Sequence, residues 1–312
     1  MAKILCIIDG MTDPAFDVRK YPALVSFPNM EYIQTVPDGF EAETVPCVLS
    51  LLGITSPPRN IRGWIEALGA GIHVNADDLI FRVSWVALDN DEVCVGFCDA
   101  PPHLNMLEET RYYPLDGYKG IWIVPEYASY IGSLREVLPF EMIGRPVSNF
   151  VNPDIPLLKD ILRQIRRANP KRCMLPWAAS VEQHLPNFPK KAAVVCGTNV
   201  VKGIAKALNM HLVTSDEMTG DTDTNLNIKL HAVLELAEAY PFVILHIGGC
   251  DEAAHRMDMS EKEAFLKKID NTVLAALLAS NHDVEVVSDH GTDPLTSKHI
   301  GGTQQKYYKN ES

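Results

Sequence analysis

Short, mainly apolar runs alternate along this chain with stretches whose apolar positions recur every three or four residues. The runs fall at residues 3–8, 192–196, 211–214, 242–247 and 284–287. Each is strand-length and is bounded by glycine or polar residues, which predicts buried β-strands. Helical spacing occupies the intervals. Val48, Leu49, Leu51 and Leu52 precede Gly53, a helix-ending residue, and a second helix is predicted at 199–208. Leu230, Val233, Leu234 and Leu236 stripe a helix at about 226–239, and Phe265, Leu266, Ile269, Val273, Leu274 and Leu277 stripe one at 261–279. Strand–helix alternation of this kind predicts the α/β class: a doubly wound, mostly parallel sheet with helices on both faces.

The middle of the chain has a different texture. After Pro57-Pro58, residues 59–191 carry many prolines, strand-like stretches beginning at Leu79 and Gly120, and a basic helical run at 158–168. This predicts an inserted, smaller α+β domain at 59–191, with the core formed by 1–58 and 192–312. Trp64, Trp85, Trp122 and Trp177 are expected to pack the insert. Residues 12–39, with prolines at 14, 22, 28 and 37, show no period and read as a loop region.

Three of the strands end in metal-ligand chemistry. The first runs into Asp9-Gly10, and the run at 242–247 leads to Asp251 and His255. The last leads to Ser288-Asp289-His290-Gly291, with His299 nine residues beyond His290. Carboxylate and imidazole at strand ends can build a site along one edge of an open α/β sheet. Asp251 and His255 share one face of a helical turn and can grip one ion. His246, inside an apolar run, reads as a core histidine. Thr44, two residues before Pro46, reads as a helix N-cap. A hydroxyl there is also well placed as a nucleophile toward phosphate, because free N–H groups and the helix dipole favour an anion.

Composition narrows the function. The 28 basic and 40 acidic residues give a net charge of −12, which argues against nucleic-acid binding. No apolar run approaches the ~20 residues of a membrane span. A strand begins within three residues of the N-terminus with no signal-peptide pattern, so a cytoplasmic location is expected. The seven cysteines are an odd number in apolar contexts and read as thiols.

The motifs resemble the alkaline phosphatase superfamily and, more closely, the archaeal-type cofactor-independent phosphoglycerate mutases. The similar features run nearly end to end: Ile8-Asp9-Gly10-Met11, Leu51-Leu52-Gly53, Arg62-Gly63 through Glu66-Ala67-Leu68-Gly69, and Phe81-Arg82. They continue with Lys202-Gly203-Ile204-Ala205, Thr219-Gly220, Asp223-Thr224-Asn225, Asp251-Glu252-Ala253-Ala254-His255 and Asp289-His290. The resemblance implies an alkaline phosphatase-like core and two divalent ions, manganese or zinc. One ion would be held by Asp251, His255 and His299, the other by Asp9, Asp289, His290 and the hydroxyl of Thr44. It also implies Thr44 as nucleophile and Arg62, Arg82 and Lys202 as positive contacts for a small phosphorylated substrate. The expected activity is interconversion of 2- and 3-phosphoglycerate through a phosphoenzyme. A phosphomonoesterase or phosphodiesterase of the same superfamily is the first alternative, and a non-catalytic metal-binding relative the second. The chain departs from the mutase pattern in having Thr44 for serine, Phe81-Arg82-Val83-Ser84 for a stretch ending in Cys-Asn, and only a polar tail after His299. The metal, the physiological substrate and the oligomeric state are not legible in the sequence.

Overall fold

The computed structural model describes residues 1–102, 110–134, 138–150 and 155–310, and the chain falls into two compact units, Met1–Pro57 with Leu185–Ser312 and Pro58–His184. The first unit opens with β1 (Lys3–Ile8), α1 (Pro22–Val25), β2 (Asn29–Gln34) and α2 (Thr44–Leu51). The second contains α3 (Arg62–Gly69), β3 (Leu79–Leu88), β4 (Cys94–Phe97), β5 (Arg111–Pro114), β6 (Lys119–Val124), α4 (Pro156–Ala168) and β7 (Arg172–Ser180). The first unit resumes with β8 (Ala192–Val195), α5 (Asn199–Ala207), β9 (His211–Val213), α6 (Leu226–Ala237) and β10 (Phe242–Ile247). It ends with α7 (Gly249–His255), α8 (Met259–Ile269), α9 (Ala275–Ala279), β11 (Asp283–Val287), β12 (Gly291–Asp293), β13 (Lys298–Ile300) and β14 (Thr303–Lys309).

The sheet of the first unit has the order β2-β14-β11-β1-β10-β8-β9. The five strands from β11 to β9 are parallel, while β14 and β2 are added antiparallel at one edge. The expected mostly parallel α/β sheet is therefore present. β1 is its centre. Ile4, Cys6 and Ile8 pack with Val243, Leu245, Ile247, Val284 and Val286 against Phe265, Leu266, Ile269, Val273 and Leu277. The alternate positions Leu5, Ile7, Ile244 and Val287 face the other way and are also buried. A strand buried on both faces has to be largely apolar, which is why these runs are nearly continuous, broken only by Lys3 in β1, His246 in β10 and Asp283 and Glu285 in β11.

Two segments differ from the sequence reading. The region at 12–39 contains α1 and the edge strand β2, and the polar tail after His299 forms β14, paired with β11 and β2. Both strands are held by backbone ladders and ion pairs more than by apolar burial: Lys306 Nζ lies 2.6 Å from Glu31 and 3.6 Å from Glu285. The predicted helix at 261–279 is interrupted at 270–274 by a π-turn. There the buried Asp270 carboxylate accepts the N–H groups of Ala23 at 3.1 Å and Leu24 at 2.8 Å, in the first turn of α1. Anion and helix N-terminus satisfy each other.

In the second unit β3 is central, paired antiparallel with β6, β4 and β7, and β5 extends β6. Phe81, Val83, Trp85 and Trp122 meet Leu158, Ile161 and Ile165 of α4, so an antiparallel sheet carries a helix on one face.

Candidate metal centre

Register decides which residues meet. Ile7 of β1 pairs with His246 of β10 and with Val287 of β11. The C-terminal ends of three adjacent parallel strands thus release Asp9, the α7 segment with Asp251 and His255, and Asp289-His290 side by side. Gly10 makes the crossing possible. It has φ of 64°, and a Cβ there would lie 2.7 Å from Asp251 Cα.

Thr44 is the first helical residue of α2, and Glu43, in extended conformation, occupies the N-cap position assigned to Thr44 from sequence. Its hydroxyl does not cap. Oγ1 lies 3.5 Å from Asp9 Oδ2 and 3.4 Å from His290 Nε2. His290 Nε2 is in turn 3.5 Å from Asp9 Oδ1 and 3.6 Å from Asp289 Oδ2. Next to this group, Asp251 Oδ2 lies 3.2 Å from His255 Nε2, Asp251 Oδ1 lies 3.6 Å from His299 Nε2, and the two imidazole Nε2 atoms are 3.0 Å apart. The structure brings Asp9, Thr44, Asp251, His255, Asp289, His290 and His299 together within the first unit.

The hydrogen bonds orient the rings. His299 Nδ1 donates to Ala42 O at 2.6 Å, and His290 Nδ1 to Gly291 O at 3.2 Å. Ser297 Oγ donates to His255 O at 3.2 Å and so accepts from His255 Nδ1 at 3.1 Å. With each Nδ1 engaged on an oxygen, the three rings turn Nε2 toward the carboxylates, as metal-binding histidines do. Thr292 Oγ1 donates to Asp251 Oδ1 at 2.6 Å, fixing that carboxylate.

The electrostatics call for a cation. Burial, then the neighbouring Asp289 and Asp251 charges, pushes the Asp9 carboxyl far above its ordinary range. Burial also raises Asp289. Burial acts the same way on Asp251, but the hydrogen bond and charge of His255, with His290 and His299, hold it well below the usual carboxylate range. Burial and His290 lower His299 to about 4. Asp9 Oδ1 and both Asp289 oxygens are buried without a hydrogen-bond partner among the described residues. An unsatisfied buried polar group costs ~1–3 kcal/mol, more when charged, so such a cluster persists only if something else satisfies it. Donor separations of 3.2–3.6 Å fit that role. Bonds of about 2.0–2.2 Å to one ion place neighbouring donors roughly 3.4 Å apart. The residues present fit divalent metal.

His246, read from sequence as a core histidine, is indeed fully buried, yet it also lines this site. Its Nε2 is 3.4 Å from Asp9 Oδ2, and Asp9, His246 and Asp289 form one of two triads able to hold an ion among the described residues, the other being Asp251, His290 and His299. Its phase along the strand was the available signal.

Lys202 is half-buried in α5, the helix that follows β8. Arg62 and Arg82 belong to the second unit, and neither is a free surface charge. Glu66 takes Arg82 Nε at 2.6 Å and Arg62 Nε at 3.1 Å. Arg82 also donates to Val83 O at 2.8 Å. Both guanidinium groups lie over Trp177, 4.9 Å from the ring centre for Arg62 and 6.0 Å for Arg82.

Fold and site together define an α/β enzyme with a carboxylate–imidazole centre suited to divalent metal. Residues 1–303 match the family model described as the metalloenzyme superfamily, and the chain belongs to that family. A relative from Archaeoglobus fulgidus, 2,3-bisphosphoglycerate-independent phosphoglycerate mutase 1, is 22% identical over 95% of this chain and 88% of its own. The 2,3-bisphosphoglycerate-independent phosphoglycerate mutase of Methanopyrus kandleri is 25% identical, covering 95% and 85%. Among solved structures, a protein from Pyrococcus horikoshii superposes with a TM-score of 0.72 at 19% identity, covering 99% of this chain and 87% of that one. The cofactor-independent phosphoglycerate mutase of Thermoplasma acidophilum gives 0.54 at 17% identity, covering 100% and 90%. No helix among the described residues is long and apolar enough to cross a membrane.

Proposed function

We infer that this chain is a metal-dependent phosphoryl-transfer enzyme working through a phosphoenzyme on Thr44, and that its reaction is the 2,3-bisphosphoglycerate-independent interconversion of 2- and 3-phosphoglycerate. The observation that carries the reading is the convergence of the Thr44 hydroxyl, at the first position of α2, on Asp9 and His290. The names of the archaeal relatives support the substrate class.

Asp9, Thr44, Asp289 and His290 would hold one ion, and Asp251, His255 and His299 the other. Bound there, manganese or zinc would lower the hydroxyl pKa and offset the charge of the phosphate. The remaining work belongs to the chain. The N–H groups of Thr44 and Val45 open α2, Pro46 having none, and favour a phosphate oxygen at that end. Thr44 Oγ1 bonds to phosphorus as the bond from phosphorus to the glycerate oxygen breaks, and the hydroxyl proton ends on the departing oxygen. The second half reverses this with the other glycerate hydroxyl, so no water is consumed. Arg62, Arg82 and Lys202 are the proposed contacts for phosphate and carboxylate.

A second reading, hydrolysis of a phosphate ester, is favoured by the engagement of Arg62 and Arg82 with Glu66, which leaves less charge to retain a glycerate. Phosphorus NMR of manganese-loaded protein with 3-phosphoglycerate separates the two. Growth of 2-phosphoglycerate supports the mutase, while growth of inorganic phosphate supports the hydrolase. Thr44→Ala should abolish either activity and Thr44→Ser should keep it. Full activity in Thr44→Ala would remove Thr44 as nucleophile.

A further inference from the structure

We propose that His246 is a metal ligand: its Nε2 joins Asp9 and Asp289 as a third donor to one of the bound ions. The inference rests on the metal-dependent reading above and extends its donor set.

Strand geometry supplies the first argument. In parallel pairs, residues in register point to the same face, and side chains repeat that face every second residue. His246 is in register with Ile7, and Ile7 with Val287. Two residues beyond Ile7 and Val287 stand Asp9 and Asp289. His246 therefore looks along the sheet toward both carboxylates, and one donor atom from each of the three lies within 4.8 Å of the others.

The second argument is the histidine's lack of any other role. Its side chain is fully buried, and neither ring nitrogen has a hydrogen-bond partner among the described residues. A packed core histidine ordinarily engages at least one nitrogen. The 3.4 Å from Nε2 to Asp9 Oδ2 is too long for a good N–H···O bond. It equals the separation expected of two donors on one ion. Asp9 Oδ1 and both Asp289 oxygens also have no hydrogen-bond partner among the described residues, Asp9 Oδ2 being the oxygen that accepts from Thr44, so all three side chains carry unsatisfied atoms at this centre.

The consequence is chemical. Carboxylates alone suit magnesium or manganese, whereas an added imidazole beside that of His290 favours zinc or cobalt. The site so completed would discriminate against magnesium.

The test begins with wild-type protein, which needs no substitution. Nitrogen-15 NMR of histidine-labelled protein, before and after two equivalents of zinc, should move the His246 Nε2 resonance into the metal-bound range. His246→Gln, which retains much of the volume, assigns that resonance by its loss. Calorimetric titration of His246→Gln with zinc should then show one of two sites weakened by at least 10–100-fold and the other unchanged. Visible absorption of cobalt-loaded protein should change at that site alone. If wild type takes up two zinc ions while the His246 nitrogens keep their metal-free shifts, the inference is overturned and the two-ion reading stands. If wild type takes up no metal, both fall.

Discussion

Glu66→Gln should destabilise the second unit severely, for a reason that can be worked from the structure. Glu66 and Arg82 are almost wholly buried, each with 5% of its side chain exposed, and their Nε–Oε2 separation is 2.6 Å. Removing the carboxylate charge leaves the Arg82 guanidinium buried without its counter-ion, which costs about 3–5 kcal/mol. All four tryptophans, Trp64, Trp85, Trp122 and Trp177, lie in this unit, so tryptophan fluorescence during urea unfolding reads it selectively. With an m-value of roughly 1.5–2 kcal/mol/M, the fluorescence midpoint should fall by about 2 M. pH gives an independent check. Burial works against the ionised Glu66, but Arg82 and then Arg62 overcome it and hold the carboxyl below its ordinary value. The pair's contribution is therefore complete above the unfolded-state pKa of about 4.3 and is lost as pH falls through the lower folded value. The gap between wild type and Glu66→Gln should close over that acidic window. Adding Arg82→Met to Glu66→Gln should recover much of the loss, since a buried pair can often be replaced by apolar side chains. A midpoint unchanged in Glu66→Gln would refute the reasoning.

Metal should stabilise the first unit. At a hundredfold excess over Kd each occupied site adds about 2.7 kcal/mol, worth roughly 5–10 °C in Tm. Far-UV circular dichroism of EDTA-treated protein with and without manganese or zinc checks this, and equal Tm values would count against the site. Asp270→Ala, outside the proposed ligand set, removes the acceptor of the Ala23 and Leu24 N–H groups. Such charge-assisted bonds contribute ~1.5–3 kcal/mol each, so urea unfolding followed by circular dichroism should show a loss of at least about 2 kcal/mol. A smaller loss would mean that water or another group replaces the carboxylate.

The parallel core was legible because its central strands are buried on both faces and so are mostly apolar: residues 3–8 and 242–247 were bounded correctly from sequence alone. The antiparallel edge was not. β2, Asn-Met-Glu-Tyr-Ile-Gln, is almost entirely exposed, and β14 buries only Gln304, Tyr307 and Lys309. Their pairing is set by backbone hydrogen bonds and by Lys306, which bridges Glu31 and Glu285, and neither leaves a hydrophobic period to detect. Arg82 was equally opaque. Sequence shows a charge inside a strand, and only the fold reveals that a carboxylate sixteen residues away on α3 neutralises it.

At the proposed centre the two kinds of information complement each other. Asp9, Asp289 and His290 stand out in sequence because polar residues end apolar runs, and Asp251 and His255 because their spacing matches a helical turn. His246 carries no such contrast, being enclosed by apolar neighbours on its own strand. Its partners come from other strands, and register alone places it level with Ile7, one same-face step before Asp9. The phase of a parallel sheet therefore carries site information that local pattern omits. Where a buried strand holds a single imidazole, the residues two positions beyond its in-register neighbours are the ones to inspect. Here they are Asp9 and Asp289, which between them hold three buried oxygens without a hydrogen-bond partner among the described residues.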